Sequence, residues 1–257
     1  MMRPIRFLGA VIILLGFGLV AGLFWLVPVR QTRRRAIRRL RQLWARTMLW
    51  VLSVRVELDP PDADLPDPAL YAANHASYLD ILVVMSISPG VFVSKLSVVW
   101  WPVIGQLAAA GETLFVNRGD RLRVGRLVEK VRERLRSGRS VVFFPEATNS
   151  NGETLLPFKT SLFAAAQGND GPGFLVQPLV IRYESIGGQP LTAENRDQVL
   201  WFGDNPFLSH AWNLLSRPGV EVTVRALPPR EVSTSRREFG DELRKEMLQH
   251  ARLIEPA

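Results

Sequence analysis

From Phe7 to Val29 the chain runs 23 residues without a charged side chain, and the segment 30–46 that follows holds eight arginines and no acid. At about 1.5 Å of rise per residue, the uncharged run makes roughly 35 Å of helix, enough to cross a hydrocarbon core. A cleavable signal peptide competes for the same residues, with Arg3 and Arg6 as its charged start. The apolar run is longer than a signal core and no small-x-small cleavage site follows it, so a retained anchor is expected. The arginines after the run outnumber those before it, which predicts that residues 30–257 lie on the cytoplasmic side of the inner membrane.

The arginine segment continues with a helical pattern. Ile37, Leu40, Trp44, Thr47 and Val51 fall on one face with arginine opposite. Such a helix beside a membrane anchor is expected to lie on an anionic leaflet, with Arg33, Arg34, Arg38 and Trp44 as contacts. A solvated basic linker that only fixes topology is the alternative. Outside 30–46 the chain carries 24 basic and 24 acidic side chains, so the formal charge of +8 is local and indicates no nucleic-acid surface. The absence of cysteine excludes disulfides, thiol nucleophiles and thiolate metal sites, and fits a reducing compartment.

A Pro/Asp-rich stretch from Asp59 to Pro68 marks a boundary. It divides a membrane anchor and basic amphipathic helix (1–55) from a globular domain (56–257). In that domain strand-like runs at 69–73, 91–93, 113–116, 140–144, 174–181 and 220–227 alternate with helical patterns at 78–87, 121–136, 161–167, 206–215 and 236–253. The alternation predicts an α/β fold, a mixed sheet flanked by helices. Ser97–Gly105 fits this scheme poorly. It is either buried core or an apolar patch through which Trp100 and Trp101 reach the bilayer interface.

The candidate chemistry begins at Asn74-His75-Ala76-Ser77-Tyr78-Leu79-Asp80, where a strand-like run gives way to a helical one. Residues five apart on a helix point roughly 140° away from each other. His75 and Asp80 therefore meet only if His75 precedes the helix and Asp80 curls back from its first turn. The carboxylate would then take Nδ1–H and leave Nε2 free to accept a hydroxyl proton. Further on, Leu114–Arg118 ends a strand with a guanidinium, Val141–Ser150 ends one with Pro145, Glu146 and Thr148, and Val176–Ile181 has Pro178 inside an apolar run. Each has a plainer reading: a surface ion pair for Arg118, a helix cap for Glu146, an edge strand or bulge for Pro178.

In this order the four blocks resemble the glycerolipid acyltransferase family, typified by bacterial 1-acylglycerol-3-phosphate O-acyltransferase. Its N-H-x-S-x-x-D block is met by Asn74, His75, Ser77 and Asp80, and its F-[IV]-x-R block by Phe115, Val116 and Arg118. F-P-E-G-T-R-S is met by Phe144, Pro145, Glu146, Thr148 and Ser150, and V-x-P-[VL]-x-I by Val176, Pro178, Leu179 and Ile181. The resemblance implies transfer of a fatty acyl group from acyl-carrier protein or coenzyme A, as co-substrate, to a lysolipid hydroxyl. It implies His75 and Asp80 as catalytic residues, Asn74, Ser77, Arg118, Pro145, Glu146, Thr148 and Pro178 at the substrate, and no metal or other cofactor. Partners are then anionic membrane lipids, the lysolipid and the acyl carrier.

The third block departs from the pattern, with Ala147-Thr148-Asn149 where the family has Gly-Thr-Arg. The family's arginine is associated with the acceptor phosphate, and asparagine carries no charge. The first expectation for the acceptor is 1-acyl-sn-glycerol-3-phosphate. The alternative is lyso-ornithine lipid, whose branch the segment 151–163 resembles, with Glu146 and Glu153 facing the ornithine ammonium. Two other functions fit fewer residues: a serine hydrolase built on Ser77 or Ser150, and a non-catalytic membrane adaptor.

Overall fold

The computed structural model describes residues 2–23, 30–101, 104–116, 121–168, 172–217 and 219–255. Two long helices, α1 (Met2–Leu23) and α2 (Arg30–Val51), precede a sheet in which β1 (Val54–Asp59), β2 (Leu70–Ala73), β3 (Val91–Lys95), β4 (Leu114–Val116), β5 (Val141–Phe143), β6 (Val176–Ile186), β7 (Gln189–Pro190) and β8 (Val220–Ala226) take part. The order is β1-β8-β6-β2-β5-β3-β4, with β7 hairpinned onto β6. β2 to β6 are mutually parallel, whereas β8 runs antiparallel to β6 and parallel to β1. This is the mixed sheet expected from the alternation of elements.

The helices are α3 (Leu79–Ile87), α4 (Ile104–Ala110), α5 (Arg121–Arg136), α6 (Phe207–Leu214) and α7 (Arg236–His250). Side chains alternate across β2. Tyr71 and Ala73 join Val142, Leu179 and Ile181 in the core under α3, while Leu70 and Ala72 join Val141, Phe143 and Val180 in the core under α5 and α7. Burial on both faces explains why the central strands read as unbroken apolar runs.

Pro178 lies in β6, an interior strand and not an edge. It pairs with Ala72 on one side. On the other side the β8 ladder starts only at Leu179, and the neighbouring backbone bridges back at Val176–Arg230. Proline occupies that break in the ladder, where a missing N–H is tolerated, and the buried Gln177 amide donates to the Pro178 and Leu227 carbonyls there.

The N-terminal helices are the expected apolar helix and the expected basic amphipathic helix. The window Arg3–Val20 of α1 is apolar and long enough to cross a membrane, with none of it buried. Yet Arg6 donates to the Leu215 and Arg217 carbonyls (3.3 and 2.8 Å) and to Ser53 Oγ (2.7 Å), Gly9 lies against Val51, and Gly18 passes Leu107. Through these contacts α1 packs along the domain. In α2, Arg41 donates to the carbonyls of Gly111, Pro89 and Gly90, Gln42 to Ser88 and Arg46 to Ser86. These side chains close the carbonyl end of α3. Arg38 pairs with Asp67 and Trp44 is half-buried. An exposed stripe of Arg35, Arg39, Leu43 and Trp50 remains. The side chains of Arg33 and Arg34 lie outside the described residues.

Candidate active site

β2 ends at Ala73, and Asn74 extends its pairing with a side chain. Its amide donates to the Ile181 carbonyl (3.0 Å) and accepts the Ile181 N–H (2.7 Å). The chain then turns sharply, so His75 stands at the carboxyl end of a parallel strand, where α/β sheets place their sites. Asp80 sits in the first turn of α3, fully buried, and curls back. Its Oδ2 accepts His75 Nδ1–H at 2.8 Å and the N–H groups of Ala76 (2.7 Å) and Ser77 (2.9 Å). The His–Asp spacing read in the sequence thus closes as a dyad. The Ala76 and Ser77 amides are engaged by this carboxylate, which removes them as oxyanion donors.

The second oxygen of Asp80 accepts the Tyr183 hydroxyl at 2.6 Å. Burial, and after it the Asp80 carboxylate, hold that phenol protonated well above its ordinary range. Every partner of Asp80 is a donor, so the carboxylate acts as an acceptor throughout. The His75 ring stacks on Phe144 (centroids 4.1 Å apart, 11° between planes) and keeps 15% of its side-chain surface exposed. Its Nε2 bonds no protein atom among the described residues. The imidazole is thus oriented through Nδ1 by Asp80, stacked on Phe144 and open at Nε2, an arrangement that can accept a proton there.

The turn after β5 holds the histidine loop. Glu146 Oε1 accepts the His75 N–H and Oε2 accepts the Leu156 N–H, each at 2.7 Å, while Ser150 N–H donates to the His75 carbonyl at 2.8 Å. Burial pushes the Glu146 carboxyl up to about 7 against these two bonds. Both oxygens are engaged, so Glu146 positions His75 and does not face a substrate cation. Glu153 is likewise engaged, with Arg196 at 2.6 Å, which holds its carboxyl below the ordinary range. Pro145 is buried and its carbonyl accepts Lys159 N–H. Ala147 adopts φ +64°, the left-handed conformation that suits the family's glycine. Thr148 is exposed, and the side-chain nitrogen of Asn149 is buried with no partner.

Ser77 is fully buried, donates its hydroxyl to the Val199 carbonyl (2.8 Å) and accepts the Leu79 N–H, so its hydroxyl is committed to backbone and is no nucleophile. Ser150 is buried and meets His75 through backbone. Arg118 lies outside the described residues, which end β4 at Val116. Of the residues singled out in the sequence, the structure gathers His75, Asp80, Asn74, Ser77, Pro145 and Glu146 around one turn. Tyr183 and Phe144 were missed as site residues. His210 accepts the Tyr78 hydroxyl at Nδ1 (3.0 Å) and donates from Nε2 to the Asp197 carbonyl (3.0 Å). Tyr183 was legible by alternation, since it follows Leu179 and Ile181 on one face of β6.

An Asp-braced histidine at the carboxyl end of a parallel strand, with no serine or cysteine nucleophile beside it, defines a general-base transfer site. The Acyltransferase family matches residues 59–182. The lyso-ornithine lipid O-acyltransferase of Pseudomonas aeruginosa is 33% identical over 243 residues, covering 89% of this chain and 84% of that protein. The Rhizobium meliloti (strain 1021) enzyme of the same name is 38% identical over 70% of this chain and 63% of its own length. The 1-acyl-sn-glycerol-3-phosphate acyltransferase of Neisseria meningitidis is 38% identical over 53% of this chain. The chain thus spans under two thirds of some relatives, including 63% of the Rhizobium protein and 52% of the Neisseria one. The crystal structure of the 1-acyl-sn-glycerophosphate acyltransferase PlsC from Thermotoga maritima shares the fold, with a TM-score of 0.67 and 21% identity over 97% of both chains. The chain belongs to the acyltransferase family.

Proposed function

We propose that this protein is a membrane-associated O-acyltransferase that moves a fatty acyl group from an acyl-carrier-protein or coenzyme A thioester to the hydroxyl of a lysolipid. The observation that carries this reading is the dyad: His75 Nδ1 bonded to Asp80 at 2.8 Å, with Nε2 unpartnered among the described residues. Nε2 takes the acceptor hydroxyl proton as the oxygen attacks the thioester carbonyl. The tetrahedral adduct expels the thiolate, which receives that proton from the imidazolium. Asp80 fixes the tautomer and stabilises the charged ring.

Of the two acceptors, lyso-ornithine lipid is the better supported. Asn149 offers an uncharged donor where the family's arginine would meet a phosphate, and a guanidinium fork is the strong partner for that group. With Glu146 and Glu153 engaged elsewhere, neither carboxylate supplies the headgroup contact. Thioester donors and the lack of cysteine favour the cytoplasmic face of the inner membrane, with α1 resting in one leaflet. The test offers purified enzyme both lysolipids side by side with radiolabelled acyl-carrier protein. Transfer to lyso-ornithine lipid is expected to lead, and transfer to lysophosphatidate alone overturns the acceptor assignment. Undiminished transfer by His75→Ala overturns the mechanism.

A further inference from the structure

The helix α6 has two faces with different jobs. Inward, its buried His210 accepts the hydroxyl of Tyr78, and its Phe207 meets the Tyr78 ring edge-on at 5.1 Å. Tyr78 is three residues beyond His75, so α6 is fastened directly to the loop that carries the candidate base. Outward, Leu208 is 79% and Trp212 44% exposed, four residues apart on one face, and Phe207-Leu208-Ser209-His210-Ala211-Trp212-Asn213-Leu214 contains no Asp, Glu, Lys or Arg.

This outward face is one part of a larger surface. Phe7 of α1 packs edge-on against Trp212 at 5.5 Å, and Arg6 ties α1 to the carbonyls of Leu215 and Arg217 just past the end of α6. From there α1 presents Ile5, Leu8, Ile12, Leu15 and Leu19 as an exposed stripe at helical spacing. On the other flank Phe207 touches Trp101 at 5.0 Å, beside Trp100, which is 82% exposed. An apolar surface assembled from three separate segments and rich in tryptophan matches the hydrocarbon–headgroup boundary of a bilayer.

We propose that α6 is a second membrane contact, which inserts Leu208 and Trp212 into the lipid interface and so seats the His75 loop against the leaflet holding the acceptor. The proposal rests on the acyltransferase reading and adds the element that orients the site. A lysolipid hydroxyl then reaches Nε2 without its acyl chain leaving the bilayer.

The chain lacks cysteine, so Leu208→Cys accepts a single environment-sensitive fluorophore, with Glu133→Cys on α5 as the control. On equimolar phosphatidylcholine–phosphatidylglycerol vesicles, with binding scored by co-sedimentation, the label at 208 is expected to brighten and become protected from aqueous iodide. The label at 133 stays quenchable. Equal quenching at both positions in vesicle-bound protein overturns the proposal, as does failure to co-sediment. In a second measurement, Leu208→Glu with Trp212→Glu should lower the ratio of turnover on vesicle-borne to monomeric short-chain lysolipid by about tenfold or more. Loss on both substrates in parallel overturns a seating role while leaving acyl transfer by the parent enzyme untouched.

Discussion

Tyr183 donates its phenolic hydroxyl to Asp80 Oδ1 at 2.6 Å, and through that carboxylate braces His75. The contact joins an interior strand to the first turn of α3, 103 residues apart in sequence. Tyr183→Phe leaves Asp80 Oδ1 buried without its donor, a defect worth about 1–3 kcal/mol of stability. Because the dyad is misaligned rather than removed, kcat should fall by roughly 10- to 100-fold while KM for the lysolipid stays near its parent value. Steady-state kinetics of the folded variant check the split.

Glu146 gives a pH signature. Its folded carboxyl titrates near 7 against an ordinary 4.5, so between those values the folded state holds a proton that the unfolded chain has released. Stability from this group is complete below about 4.5 and is lost as the pH rises through about 7. Glu146→Gln abolishes that slope and also turns an amide N–H₂ toward one of two backbone donors. Melting temperatures at about pH 5 and pH 8 should diverge less in the variant than in the parent. Its transfer rate should fall because the His75 loop loses a tether.

Ala147 occupies a left-handed conformation with φ +64°. Ala147→Gly relieves that strain, by about 1 kcal/mol, and should raise Tm by about 2–4 °C. Differential scanning calorimetry decides it.

Asn149→Arg tests the acceptor. A guanidinium restored at the turn after β5 is expected to raise turnover with lysophosphatidate relative to lyso-ornithine lipid by about tenfold. An unchanged ratio would mean that the headgroup is read elsewhere.

Much of this was legible in the chain. β2, β5 and β6 are buried on both faces and therefore wrote themselves as apolar runs, while helical spacing set the condition under which His75 and Asp80 could meet and the ordered family blocks singled the pair out. Other features depended on contacts between distant residues. β1 alternates as Val54-Arg55-Val56-Glu57-Leu58-Asp59, yet it sits at the apparent boundary with the membrane segment, where its short alternation is masked by the apolar helix before it and the Pro/Asp stretch after it. Ser97–Gly105 reads as one apolar block, but it folds as a tight 3-10 turn over Leu96–Trp100 followed, from Ile104, by α4. The expected helix at 161–167 is a 3-10 turn over Thr160–Ala165. Glu146 shows most clearly why composition stops short. A glutamate at a strand end looks like a ligand for a cation until its two oxygens are found on the amides of His75 and Leu156.

The arginines of α2 have a consequence for how this protein meets charge. At least three of the eight cations in 30–46 are directed at protein: Arg38 at Asp67, Arg41 and Arg46 at carbonyls where α3 ends. They act as mortar between the anchoring helices and the helix that begins with the dyad. Salt, which weakens adhesion to anionic lipid, should therefore detach the protein from vesicles less than its cation count suggests. Replacing Arg41 would instead loosen α3 at the end far from Asp80.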